Sequence, residues 1–172
     1  MNASFQKKFE SLESQRKTLL HSLQSLSAEK LNHQLEGKWS INQVIAHLIA
    51  AEKLSLVYLT KKIQAINEVE NTGVVEELKM IGLIISQRLP LKFKAPRMVV
   101  ENTSHSEELS KLEQEWTSLR QELKLLLENF SDDQINRKIY KHIRAGKLNI
   151  QHALIFFREH IIHHQRQLNH LL

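Results

Sequence analysis

Three histidines crowd the C-terminal end of this chain, in the run His160-Ile-Ile-His163-His164. A neutral imidazole offers a nitrogen lone pair to a divalent metal ion, and two imidazoles four residues apart on a helix sit one turn apart on the same side. A fourth histidine, His47, lies more than a hundred residues earlier, just after a tryptophan and a serine. Three neutral nitrogen ligands on one ion leave coordination positions open for water or a substrate, as catalytic sites require.

Helical phase selects among these residues. Advancing about 100° per residue from Ile150, the apolar side chains Leu154, Phe157, Ile161, Leu168 and Leu171 gather about one direction. His164 falls among them and His160 on their edge, while His163, His152 and His170 point away. A single histidine on an apolar face is usually a hydrogen-bonded core residue. Two in register are harder to place that way, because each buried ring nitrogen needs a partner. His47 lies on the flank of its own apolar face beside Ala46, Ala50 and Ala51, whose small side chains leave room in a helical interior. The expected metal ligands are therefore His47, His160 and His164.

Other groups have weaker claims. Glu52 lies in the apolar stripe of the same helix as His47. It is a candidate catalytic residue, as a general base or as a support for a ligand, against the plainer expectation that it reaches solvent or pairs with a lysine. Gln167 is placed to support His164 or to be solvated. Trp39 and Trp116 read as packing residues. Lys92, Lys94 and Arg97 belong to a solvated loop, or receive the carboxylates of an anionic substrate if that loop overhangs the metal.

Four long helices must position these residues. In the first, Phe5, Phe9, Leu12, Leu19, Leu23 and Leu26 alternate by four and three, with Arg16 in the missing slot. The second follows Gly37-Lys-Trp-Ser40, where Ser40 and Gln43 form a capping box, and it fades near Asn67. The third opens between Thr103 and Leu109, with Ser104 and Glu107 as a second capping pattern. It carries Leu109, Leu112, Trp116, Leu119, Leu123, Leu126 and Phe130. The fourth starts near Asn149 and runs to the end. Short loops join helices one and two, and three and four. A long crossover, roughly 67–102, separates two and three and is expected to contain a short helix, with an amphipathic piece from Val74 to Arg88. Gly37-Lys-Trp-Ser-Ile and Gly146-Lys-Leu-Asn-Ile echo one another ahead of the second and fourth helices. The expected architecture is an all-α four-helix bundle, one domain over residues 1–172.

Composition narrows the function. With 172 residues, 41% hydrophobic and 25% charged, the chain can bury a core. Four glycines and two prolines argue against a turn-rich β-protein. No cysteine is present, which excludes disulfides, thiolate ligands and a cysteine nucleophile. Lacking a signal-like N-terminus and any apolar run of membrane-spanning length, the chain is expected in the cytoplasm, without a membrane partner. The net charge of +5 is spread among interleaved acids and bases, with no continuous basic stripe for nucleic acid.

Two motifs carry a family resemblance. Gly37-Lys-Trp-Ser-Ile-Asn-Gln-Val-Ile-Ala-His47-Leu resembles the second-helix signature of the DinB-like superfamily, and His160-Ile-Ile-His-His164-Gln-Arg-Gln resembles its last-helix signature. The resemblance implies a four-helix bundle with the long crossover between its second and third helices. It implies metal ligation by His47, His160 and His164, with zinc or nickel as the metal, and a homodimer. It also implies a small-molecule substrate and, as the leading activity, transfer of a low-molecular-weight thiol. A hydrolase using metal-bound water and a non-catalytic binding or stress-response module are the alternatives.

Overall fold

Local signals in the chain account for most helix boundaries. The computed structural model describes residues 2–89, 94–104 and 107–172. The four long helices are α1 (Ala3–Leu23), α3 (Ile41–Ile63), α6 (Leu109–Glu128) and α7 (Ile150–Asn169), with shorter helices α2 (Ala28–Asn32), α4 (Val74–Arg88) and α5 (Arg97–Glu101) between them. A two-stranded antiparallel hairpin, β1 (Tyr140–His142) and β2 (Gly146–Leu148), precedes α7. The fold is all-α in class, with this hairpin as its one sheet among the described residues.

The seven-residue repeats become the bundle core. α1 packs on α6 and α7, and α3 packs on the same two helices, so the four close into a ring. Leu112, Trp116, Leu119 and Leu123 of α6 are buried, as are Phe5, Leu12 and Leu19 of α1. Each such side chain contributes about 1.5–3 kcal/mol by leaving water. Arg16 fills its slot in the seam and is buried. No helix among the described residues is long and apolar enough to cross a membrane.

Both echoing motifs share one turn geometry. Gly37 has φ 68° and Gly146 has φ 76°, each three residues before an N-cap. A left-handed backbone costs an L-residue about 1–2 kcal/mol and glycine almost nothing. Ser40 then caps α3 by accepting from the Gln43 amide at 3.2 Å, and the Ser40 amide donates to Gln43 Oε1 at 2.9 Å. Asn149 caps α7 by accepting from the His152 amide at 2.9 Å.

Two connections and one helix start differ from the sequence reading. The link between α1 and α3 holds the five-residue α2, whose Leu31 plugs into the core. The link between α6 and α7 spans residues 129–149 and contains a 3-10 turn and the hairpin. Its strands have only three residues each, too short for period-two alternation to be legible. The expected Ser104 cap does not start α6; its N-cap is Glu108, with no side-chain cap bond. The buried Asn42 side chain holds this boundary from outside by donating to the Glu107 carbonyl at 3.1 Å. The crossover holds α4 over the expected span Val74–Arg88, and α4 lies along α7. Of the crossover cations, Lys92 lies outside the described residues, Lys94 is exposed, and Arg97 pairs with Glu101 at 2.7 Å on α5.

Candidate metal centre

The ring of long helices brings α3 and α7 together, and with them the two distant histidine segments. One nitrogen from each of His47, His160 and His164 lies within 4.8 Å of the others. His160 Nε2 and His164 Nε2 stand 3.1 Å apart. The ring centroids of His47 are 5.2 Å from His160 and 4.9 Å from His164. All three side chains are buried, at 4%, 9% and 9% exposure.

The surroundings keep these imidazoles neutral. Burial lowers the His47 pKa to about 4, helped by the positive charge His163 can carry. Burial, and then His47, lower His164 to about 3, partly opposed by the Gln167 hydrogen bond. His160 is pushed well below its ordinary value, again chiefly by burial. Neutral imidazole is the ligating form.

Hydrogen bonding sets one tautomer. The Gln167 side-chain oxygen lies 2.9 Å from His164 Nδ1. An amide oxygen only accepts, so Nδ1 carries the proton and Nε2 turns its lone pair toward the other two rings. His47 Nδ1 and His160 Nδ1 are buried with no hydrogen-bond partner. Two nitrogens each about 2.0–2.1 Å from one ion stand roughly 3 Å apart, which the His160–His164 spacing meets. Three convergent neutral imidazoles, with no thiolate in the donor set, fit a borderline divalent transition-metal cation.

Aromatic rings wall the cluster. Trp39 lies 4.9 Å from the His47 ring, and Phe156 stacks on His160 at 5.2 Å and 16°. Trp39 is thus a packing residue whose contact is a candidate ligand. His142 of the hairpin also meets Phe156, with ring centroids 4.5 Å apart. Its Nδ1 accepts from the amides of Arg144 and Ala145, both at 3.2 Å, closing the hairpin turn. Sequence reasoning missed His142 and Phe156, since neither stands in a motif. The inward side of the three-residue strand β1 positions Tyr140 and His142 together.

The remaining candidates fall elsewhere. Glu52 neither reaches solvent nor meets a lysine: it is buried, its Oε2 accepting from Trp116 Nε1 at 2.9 Å and its Oε1 from Arg120 Nη2 at 2.7 Å. It is not one of the group of three that converge on a common point. His163 Nδ1 lies 2.9 Å from the Gln87 carbonyl, where it donates to the last turn of α4. His152, which helical phase turned outward, is buried because α4 covers that flank of α7, and its Nε2 meets Glu77 at 3.0 Å. Arg88 of α4 is clamped to the buried Glu159 at 2.7 and 2.9 Å.

Gln167 has a measurable role in this geometry. Gln167→Leu removes the acceptor that orients His164, and such losses weaken metal binding by about 10–100-fold. Competition with a chromogenic chelator will read that weakening, while Gln165→Leu, one helix face away, leaves the affinity unchanged. Equal affinity in Gln167→Leu and the parent would remove Gln167 from the site.

The fold and the cluster define a class: a helical bundle with three buried, neutral histidines converging from its second and last long helices. The family model for the DinB superfamily matches residues 11–168, and the chain belongs to that superfamily. No curated protein and no solved structure gives a significant match.

Proposed function

We propose that this protein is a metal-dependent enzyme that holds zinc or nickel on His47, His160 and His164 and transfers a low-molecular-weight thiol to a small electrophilic substrate. The observation that carries the reading is the convergence of three buried imidazole nitrogens within 4.8 Å. Bound there, the ion supplies Lewis acidity, lowering the pKa of a ligated thiol or water.

The chain's own residues supply binding and orientation. The three imidazoles stay unprotonated through burial, so no proton competes with the ion near neutral pH. Gln167 fixes the His164 ring, and Trp39 and Phe156 keep water from the faces of His47 and His160. The absence of cysteine means that a thiol nucleophile must come from a cosubstrate. Glu52, with both oxygens taken by Trp116 and Arg120, is assigned here to holding α3 against α6 and not to proton transfer. The working unit in this reading is a homodimer.

Elemental analysis of the purified protein, followed by thiol-transfer assays with and without chelator, tests the reading. We expect about one ion per chain, chelator-sensitive thiol transfer, and loss of both in His160→Ala, because two imidazoles leave the ion too weakly held to survive purification. Metal content unchanged in His160→Ala rejects the site. Chelator-sensitive hydrolysis of esters or amides, with no thiol transfer, replaces the transferase with a hydrolase at the same centre.

A further inference from the structure

Helix α4 is apolar on two sides. Met80, Leu83 and Gln87 are buried where it lies along α7. On its other side Val74, Leu78, Ile81 and Ile85 are 76%, 62%, 52% and 54% exposed, and Val75 beside them is 60% exposed. The four follow steps of four, three and four along the chain. That repeat makes a seam for a second helix. The stripe amounts to on the order of 500 Å² of contiguous apolar surface, the size of the largest patch on a typical monomer, which is often functional.

Gly82 adds an independent indication. It stands in the middle of α4, where glycine costs about 1 kcal/mol relative to alanine. Its φ is not positive, and a Cβ added there would meet nothing within 4 Å. Nothing among the described residues requires glycine at this position. Next to Ile81 and Ile85, its missing side chain leaves a notch through which another backbone can approach.

The pattern is self-complementary. Ile81 lies at the centre of Val74–Arg88. A two-fold axis through Ile81 sets it against its own copy and sets Leu78 against Ile85. Glu77 in the first turn of α4 and Arg88 in its last are 61% and 52% exposed, although each also pairs within the chain, with His152 and Glu159, while Glu76 turns inward to Lys138. An antiparallel pair places the acidic turn of each copy beside the basic turn of the other, whereas a parallel pair opposes like charges. We infer that α4 is the homodimer interface of this protein, two copies pairing antiparallel about Ile81 in an isologous contact. Two such faces bury about 1,000 Å² in all, below the roughly 1,200–2,000 Å² of a standard stable interface and in the range of weak pairs. The inference rests on the homodimer reading above and is independent of whether the histidines hold a metal.

The chain contains no cysteine, so introduced thiols report on one contact each. In sedimentation velocity the parent protein is expected at twice its 20.1 kDa chain mass, and Ile81→Asp at the single mass with an unchanged helical circular dichroism spectrum. Under mild oxidation Ile81→Cys forms a disulfide with its own copy. Val74→Cys does not, because the axis leaves the two Val74 positions about 20 Å apart. A parent dimer that persists in Ile81→Asp, or that cross-links as readily through Val74→Cys as through Ile81→Cys, overturns the α4 interface while leaving the homodimer intact. A parent protein that is monomeric at 100 µM, on the order of the concentrations at which weak pairs form, overturns both.

Discussion

Glu52→Ala will destabilise the protein by about 3–5 kcal/mol, the loss expected when one member of a buried ion pair is removed, because Arg120 then keeps only Glu13 as a counter-charge. The Glu52 and Arg120 side chains are only 3% and 2% exposed. Arg120 Nη2 donates to Glu52 Oε1 at 2.7 Å, and Trp116 Nε1 donates to Oε2 at 2.9 Å. Beyond them Arg120 Nε lies 3.2 Å from Glu13 Oε1, and Glu13 is held by Arg16 at 2.9 Å. The network ties α1, α3 and α6 together with two carboxylates and two guanidiniums. Burial raises the Glu52 carboxyl, against the pull of Arg120 and Trp116, and lowers the Arg120 guanidinium. Desolvation therefore dominates, and the pair is a poor source of net stability but expensive to break. Urea titration should show the loss, with a fall in melting temperature of roughly 10 °C for a domain of this size. The double replacement Glu52→Leu with Arg120→Met should recover most of it, since apolar substitutes for a buried pair are near neutral. A cost below about 1 kcal/mol for Glu52→Ala would mean that the pair is solvated and does not organise the core.

Acid will unfold the chelator-treated protein at unusually mild pH. His47 and His142 are lowered to about 4 and His164 to about 3, each chiefly by burial. The unfolded chain takes up these protons near pH 6.5, its ordinary histidine value, while the folded chain does not. Stability therefore rises with pH across this window and falls as pH drops from 6.5 toward 4. Each imidazole removes about 1.4 kcal/mol per pH unit. Between pH 6.5 and 4.5 the three together cost on the order of 5 kcal/mol, a large share of the 5–15 kcal/mol by which a domain is usually stable. His142 adds a local reason: its protonated Nδ1 can no longer accept from the Arg144 and Ala145 amides that close the hairpin. Urea midpoints measured from pH 8 to pH 4 read the effect. Replacing His47, His160 and His164 together by leucine should flatten the upper part of the curve. A midpoint constant down to pH 4.5 would show that these rings are already accessible to water.

The long helices, their seams and the start signals of α3 and α7 were legible in the chain, because each rests on interactions within a few residues of itself. Ser40 and Gln43 cap one another three residues apart, Gly37 and Gly146 turn the backbone just ahead, and the four-three repeat of α6 faces inward whatever it meets. Helical phase alone also chose His47, His160 and His164, and the family motifs pointed to the same three. Tertiary packing decided what local pattern cannot carry. His152 is buried because α4 folds back along α7, a contact between residues some seventy-five positions apart. Glu52 looks like an amphipathic surface residue until α6 brings Trp116 and Arg120 to both its oxygens. His142 gains its place through a hairpin too short to show a period, and α6 starts at Leu109 because Asn42 holds the Glu107 carbonyl across the bundle. Periodicity reports which face of a helix is apolar. Which partner covers that face depends on how distant segments close their loops and share the remaining buried surface.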